Sequence, residues 1–403
     1  MPIDWTQAQT LLNTYREELA NIINYLSPVW QRIQEASPAE AEVIGSRVQV
    51  PLILSRGHGF AAGSLPVIRS LGTNSAYHNF VNFFISEEFD FRVVDMEKGL
   101  RLIAMALDSR INEMKEHFER MLFGDGSGRL GIVTDATNNP TFVVRSPYVP
   151  DVTAYRLDAT KLFRVGMRVD LINGATGAVR GTSVVTSIDA ANKRITLESA
   201  ISGAAANDYF VVSKNLNREF VGLWGIVNNA TYGEIPTSAD WTAYVEGGTA
   251  GNDYTLSLEV FYRFLQTAKN HMGTAYTPNL LITTPNVMAK IFSLMTNYLR
   301  VFPTDGSVTM PLGSIVIAGP FGNCEVLTSP YCPEGCIFAI DPQAFRYRWV
   351  RPFTWLSAGG GDNYLIPKVA VGEAIYMVVG WCDFAFFTLN RRAVALMRNI
   401  AIT

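Results

Sequence analysis

The chain has 403 residues, 48% of them hydrophobic and only 17% charged, and a formal net charge of −3. Such a length accommodates two or three domains around well-buried cores, and the slightly negative balance excludes a global basic field for holding nucleic acid. No apolar run approaches the ~18–20 residues that cross a bilayer, Met1-Pro2-Ile3-Asp4-Trp5 lacks a basic-then-apolar leader pattern, and four cysteines fit a reducing compartment without a disulfide framework.

From the start, Trp5 to Glu35 reads as an amphipathic helix with Leu12, Tyr15, Leu19, Ile22, Ile23, Leu26, Trp30 and Ile33 on one face. Ser27-Pro28 marks a kink, and Ala36 to Glu42 is a polar linker. Such a segment docks on its own domain or reaches a neighbouring copy; the pattern supports both. Ser46 to Val93 then holds two strand-like runs. Val48, Val50, Leu52 and Leu54 alternate outward, and Phe89, Phe91 and Val93 alternate on the return. Between them Arg56-Gly57-His58-Gly59-Phe60-Ala61-Ala62-Gly63-Ser64 forms a flexible tip. An excursion this long is unusual in a self-contained fold, and it predicts an arm that finishes its packing on another copy of the chain.

Asp95 to Phe123 is a long helix. Leu100, Ile103, Ala104, Leu107, Ile111, Met114, Phe118, Met121 and Leu122 make its apolar stripe. Arg101, Asp108, Arg110, Glu113, Lys115, Glu116, Glu119 and Arg120 make its polar face. Asp95 caps it, and a left-handed Gly124 is expected to stop it. Gly126, Gly128 and Gly131 spell Gly-x-Gly-x-x-Gly. A dinucleotide turn must follow a strand and open a helix. This one follows a helix and enters the polar stretch Thr134 to Pro140, so it reads as a turn.

Residues 134–221 alternate in short runs, around 168–171, 183–188, 194–198 and 208–212, with hairpin connectors at Asn173–Gly177 and Asp189–Lys193. This predicts a small all-β module of five or six strands, a barrel or sandwich. Gly-Ile-Val on both sides of it, at Gly131 and Gly225, agrees with insertion into a host loop. Beyond Gly222 the pattern is mixed. A helix buries Phe261, Phe264, Leu265, Ala268 and Met272, then come a strand at Leu280–Thr283 and a helix opened by Thr284-Pro285 that buries Val287, Met288, Ile291, Phe292 and Met295. Strands follow at 315–318, 324–327, 336–340 and 345–350. A final aromatic pair, Val369–Val379 and Cys382–Leu389, should lie in the core.

Little in the pattern points to catalytic chemistry. His58, His78, His117 and His271 have no metal-site spacing. Cys332 and Cys336 flank a tight turn, and Cys324 and Cys382 complete a ligand set by count alone. No nucleophile elbow or phosphate loop occurs. The expectation is no catalytic, metal or cofactor-binding residue and no cofactor. A rival enzyme reading rests on Arg346, Arg348 and Arg351 near Asp341, which could line an anion site.

An N-terminal arm, a glycine-tipped hairpin, a lone spine helix with the exit Phe123-Gly124-Asp125-Gly126 … Gly131-Ile132, and a compact α/β part follow one another. In this order the chain resembles the major capsid protein of tailed bacteriophages, a shell fold shared with herpesvirus capsid floors and encapsulins. The resemblance implies an α+β phage capsid fold. Its parts would be an N-terminal arm (1–44), an extended β-hairpin loop (45–93), the spine helix and glycine-rich exit of the peripheral domain (94–133), an inserted all-β domain (134–221), an axial α/β domain (222–364), and terminal strands returning to the peripheral domain (365–403). It implies self-assembly into hexamers and pentamers around packaged DNA held without sequence specificity, with scaffolding, portal and cement proteins as further partners and no membrane. The place is the virion, after assembly in the host cytoplasm; an encapsulin-like compartment is the alternative. Arg47, Arg56, Arg69, Phe60, Glu87 and Glu88 are the subunit-interface candidates, since arginine pairs well with carboxylates there. Some relatives crosslink an arm lysine to a neighbour; the first lysine here is Lys98, so no such crosslink is expected.

Overall fold

The computed structural model describes residues 10–16, 26–55, 72–90, 99–137, 139–148, 159–247, 254–296, 314–319, 322–357, 364, 366–370 and 373–401. The chain divides into two compact units. One is Met1–Gln49 with Tyr77–Glu119 and Arg346–Phe386; the other is Val50–Ala76 with Arg120–Phe345 and Phe387–Thr403.

The first unit is built on the strand Glu373–Thr388, sixteen residues long. Phe345–Trp355 and Ile366–Ala370 pair with it, and Val81–Asp90 joins antiparallel over ten positions, from Ile375 opposite Asp90 to Phe384 opposite Val81. The expected pair Val369–Val379 and Cys382–Leu389 is therefore bridged by one continuous strand. Gly380, which looks like a turn residue in the sequence, lacks a side chain because the rings of Phe353 and Trp355 occupy that space. The return run of the arm is likewise a sheet strand, with Val81, Ile85 and Phe89 buried; Phe91 and Val93 lie outside the described residues.

The spine helix is described over Gly99–Leu122, twenty-four residues or about 36 Å at 1.5 Å each; Asp95 lies outside the described residues. Ile103, Leu107, Ile111, Met114 and Phe118 are buried as their spacing requires. Glu119 and Arg120 are buried too, against the polar-face expectation, whereas Leu102 and Met105 stay exposed. Gly124 does not take a left-handed conformation; Gly126 and Gly128 do, with φ of 87° and 79°. The helix ends through tighter bonds, Phe123 N–H to Arg120 O and Gly124 N–H to Met121 O, and a Cβ at Gly124 would lie 3.4 Å from the Tyr148 hydroxyl.

The N-terminal segment docks on its own unit where it is described. Trp30 is fully buried, its ring edge-on to Phe118, Phe384 and Phe386 at centroid distances of 6.1, 5.9 and 5.4 Å. Gln34–Glu35 runs parallel to Arg346–Tyr347 as a short edge strand, and the Trp355 indole N–H donates to Leu12 O at 2.7 Å. The Ser27 N–H donates to the Glu119 carboxylate.

In the second unit six strands close into a barrel in the order Arg194–Leu197, Thr141–Arg145, Arg129–Asp135, Tyr209–Val212, Arg168–Ile172, Val179–Asp189 and back to the first. Its interior is Leu130, Val133, Phe142, Val144, Val169, Leu171, Val185, Ile195, Leu197 and Phe210. The module thus begins at Arg129, ahead of the expected 134, and the glycine-rich exit feeds a strand.

Its two ends meet at a neck. Asn217 N–H donates to Ser127 O at 3.0 Å, and Gly225 N–H donates to Gly124 O at 3.1 Å. Arg120 and Glu219 form a buried ion pair that the Asn215 amide joins.

The rest of the unit is a six-stranded mixed sheet, in the order Tyr244–Gly247, Val394–Arg398, Ile337–Ile340, Leu280–Thr283, Gly322–Thr328, Ser314–Gly319. Helices Leu258–Met272 and Pro285–Thr296 contribute Phe261, Phe264, Leu265, Ala268, Met272, Val287, Met288 and Ile291 to its core. Ser257 caps the first through Val260 N–H, and Gly273 ends it at φ 75°. Phe292, expected in the core, is 36% exposed; nothing is described of the Met295 side chain. Val394–Arg398 lies inside this sheet, so the terminal strands do not all return to the spine-helix unit.

Candidate assembly surfaces

The interface candidates fall into three groups. Arg56, Phe60 and Arg69 lie outside the described residues. Arg47 is exposed and opposite Ile44 in the three-stranded sheet Glu42–Ile44, Arg47–Ser55, Gly72–Asn79, where Val48, Val50 and Leu52 are buried as predicted. Glu87 and Glu88 sit on the strand Val81–Asp90. Glu87 points to the spine helix and pairs with Arg110, which also reaches Glu113 at 2.8 Å; these two carboxylates hold the Arg110 guanidinium above its usual range. Glu88 is on the exposed face beside Phe84, 66% exposed. Trp381 is directly opposite Phe84, and Arg351 lies 4.8 Å over the Trp381 ring while pairing with buried Asp383 at 3.2 Å.

The arginines of the rival enzyme reading do not converge. Arg346 binds Glu40 at 3.2 Å, Arg348 donates to Ala36 O at 2.9 Å, and Arg351 is engaged with Asp383 and Trp381. Asp341 caps its own short turn through Gln343 N–H and accepts from Thr277 N–H. Three of the histidines have local settings: His117 lies 4.0 Å from Glu113, His271 contacts Thr242 O at 2.8 Å, and burial lowers His78 to about 4. His58 lies outside the described residues. Burial raises the thiols of Cys324, Cys332 and Cys382, which disfavours the thiolates that metal binding and nucleophilic attack require. Among the described residues no group of three or more potential ligands could hold a metal ion, and no helix is long and apolar enough to cross a membrane.

Sequence reasoning missed the buried contacts that carry charge across long separations. Arg391 is 1% exposed and donates to Ile226 O, Val227 O and Asn229 O, capping the helix Leu223–Asn228. Only its adjacency to Arg392 marked it in the sequence, and nothing there distinguished it from a surface cation.

A hairpin arm, a spine helix, an inserted barrel and a helix-and-sheet part, in this order, define a phage-capsid-like fold. Over 92% of its length the chain is similar to 90% of a subunit from the cyanophage A-1(L) capsid, with a TM-score of 0.51 at 10% identity. The capsid of a native GTA particle matches 92% of the chain over 89% of its own, with TM-score 0.47 and 9% identity. The satellite phage P4 procapsid matches 98% over 90%, with TM-score 0.43 and 11% identity.

Residues 194–362, from the barrel into the first unit's sheet, match the SU10 major capsid protein family, and the chain resembles the tailed-phage major capsid proteins. No curated protein matches it by sequence.

Proposed function

We infer that the chain is a tailed-phage major capsid protein, whose copies assemble as hexamers and pentamers into an icosahedral shell around double-stranded DNA. The observation that carries this reading is the match of residues 194–362 to a major capsid protein family within a chain of phage-capsid fold. Its work is mechanical: many weak contacts become strong by repetition, because each subunit engages several neighbours at once. The docking of Trp30 on its own unit supports a pre-organised subunit, which lowers the ordering cost of association. Arg47, Arg56, Phe60, Arg69 and Glu88 remain the interface residues of this reading, with Phe84 added, whereas the Glu87 pairing with Arg110 supports a structural role for that carboxylate. The net charge of −3 suits a container that encloses a genome without gripping it along its length. Assembly in the host cytoplasm, and scaffolding, portal and cement partners, belong to the same reading.

Negative-stain microscopy after size-exclusion chromatography tests it. Closed shells or rings of six support it, and DNA inside the shells distinguishes a phage shell from a protein-filled compartment. A monodisperse monomer at every salt and concentration refutes it.

A further inference from the structure

The barrel differs in charge from its host. Residues 129–221 carry eleven Lys and Arg against eight Asp and Glu, a net of +3. The whole chain is −3, so the remainder is −6. The excess is gathered by topology. Arg168 opens one barrel strand, and its carbonyl accepts the N–H of Ser213 at 3.0 Å, just past the neighbouring antiparallel strand. That bond sets Arg168 beside Lys214, with Arg164 earlier in the first segment and Arg218 later in the second, all four exposed; Lys161 instead donates to Cys332 O at 3.3 Å.

No acidic residue occurs between Ala159 and Val169 or between Tyr209 and Arg218. The nearby Asp170 is buried and already accepts from Thr182 Oγ1 at 2.6 Å and Lys214 N–H at 2.8 Å. Val165, 66% exposed, stands between Arg164 and Arg168. Its turn is fixed by two bonds, Gly166 N–H to Val185 O at 2.8 Å and Met167 N–H to Arg164 O at 3.1 Å. A held apolar tip flanked in the chain by Arg164 and Arg168 has the make-up of a protein-binding patch. Single-stranded nucleic acid calls for exposed aromatic rings on which bases stack, and neither cationic segment exposes one.

We propose that this barrel end is a docking surface for the acidic remainder of a second copy of the chain, with Val165 at its centre and Arg168, Lys214 and Arg218 as its charged rim. The proposal rests on the capsid reading and names one contact within it. Opposite net charges on barrel and host let every subunit act as both donor and acceptor of the same contact, as head-to-tail association requires.

The test compares the full-length chain with Arg168→Glu/Lys214→Glu and with Val165→Asp, following shell assembly by light scattering over a salt series. Unfolding midpoints, expected to be unchanged at these exposed sites, serve as the folding control. For the natural chain the critical concentration should climb with salt. The charge reversal should raise it about tenfold or more at low salt and flatten the salt dependence; Val165→Asp should raise it while leaving the dependence in place. Variants that assemble like the natural chain overturn the surface and leave the capsid reading standing. The same is true of normal assembly combined with reduced retention of duplex DNA, which would make the patch a polyanion site. A natural chain that forms no shell at any salt removes the capsid reading and the surface together.

Discussion

Trp30 offers the sharpest check on the N-terminal segment. It is fully buried among Phe118, Phe384 and Phe386, so Trp30→Ala removes roughly 200 Å² of buried surface, or about 5 kcal/mol at ~25 cal/mol per Å². That is an upper figure, since a real unfolded chain already hides part of this area. Measured Trp and Phe truncations in cores cost about 3–5 kcal/mol, a fifth or more of the ~5–15 kcal/mol that holds a typical domain together. The melting temperature of the unit should therefore fall by about 6–20 °C, taking ~2–4 °C per kcal/mol. Trp30→Phe, which keeps a ring in the socket, should lose less than half as much. Scanning calorimetry of unassembled protein reads the shift, and trypsin gives an independent readout, because exposed Arg32 sits two residues away and is cut as the segment opens. A loss under ~1 kcal/mol with unchanged cleavage at Arg32 would refute self-docking and imply that the segment packs on another copy in solution.

Arg391→Ala should destabilise the second unit by about 3 kcal/mol, since it strands the buried carbonyls of Ile226 and Val227 and the partly buried one of Asn229, and Arg391→Lys should not rescue it because one ammonium cannot match the planar fork; urea unfolding measures both. Gly222→Ala places a Cβ against the carbonyl oxygens of Met121 and Leu122 and should cost over ~2 kcal/mol or abolish soluble expression, whereas Gly166→Ala, in open space but at φ 88°, should cost about 1 kcal/mol. Burial lowers His78 to about 4 from an unfolded value near ~6.5, so its stabilising contribution is complete above about pH 6.5 and disappears as pH falls through 4. The loss is about 3 kcal/mol, and urea midpoints for His78→Gln should lack that part of the pH dependence. With no lysine before Lys98, purified shells heated in denaturing buffer should run as monomers, and a ladder of linked subunits would contradict this.

Much of the fold was legible because its periodicities are plain. The spine stripe from Ile103 to Phe118, the barrel strands after Arg168 and the helix that buries Phe261 to Met272 each repeat at the spacing their burial demands. Three elements were hidden for physical reasons. Arg129–Asp135 follows a glycine cluster and ends in polar residues, so turn chemistry masked a strand. Val394–Arg398 is buried almost throughout, and a run without alternation carries no strand period. Glu373–Thr388 is interrupted by Gly380, present for ring packing rather than for a turn. The Arg120–Glu219 pair spans ninety-nine positions, and its two members looked like ordinary surface charge until the neck brought them together. The surface candidates were the least legible, because a residue type alone cannot show whether its partner is in the same subunit, as Glu87 and Arg110 demonstrate.

The neck also bears on the order in which the chain is built. Ser127 and Asn217 are hydrogen-bonded, yet eighty-nine residues separate them. For an unfolded insert that separation is a large loop to close. Once the barrel has formed, the host meets only a short hairpin-like connection, about five halvings of loop length at ~0.6 kcal/mol each. During synthesis the last barrel strand, Tyr209–Val212, is made before the strands and helices after Leu223. A chain that folds its insert first delivers Arg120 and Glu219 already facing each other, and the later half of the second unit then condenses onto a finished corner.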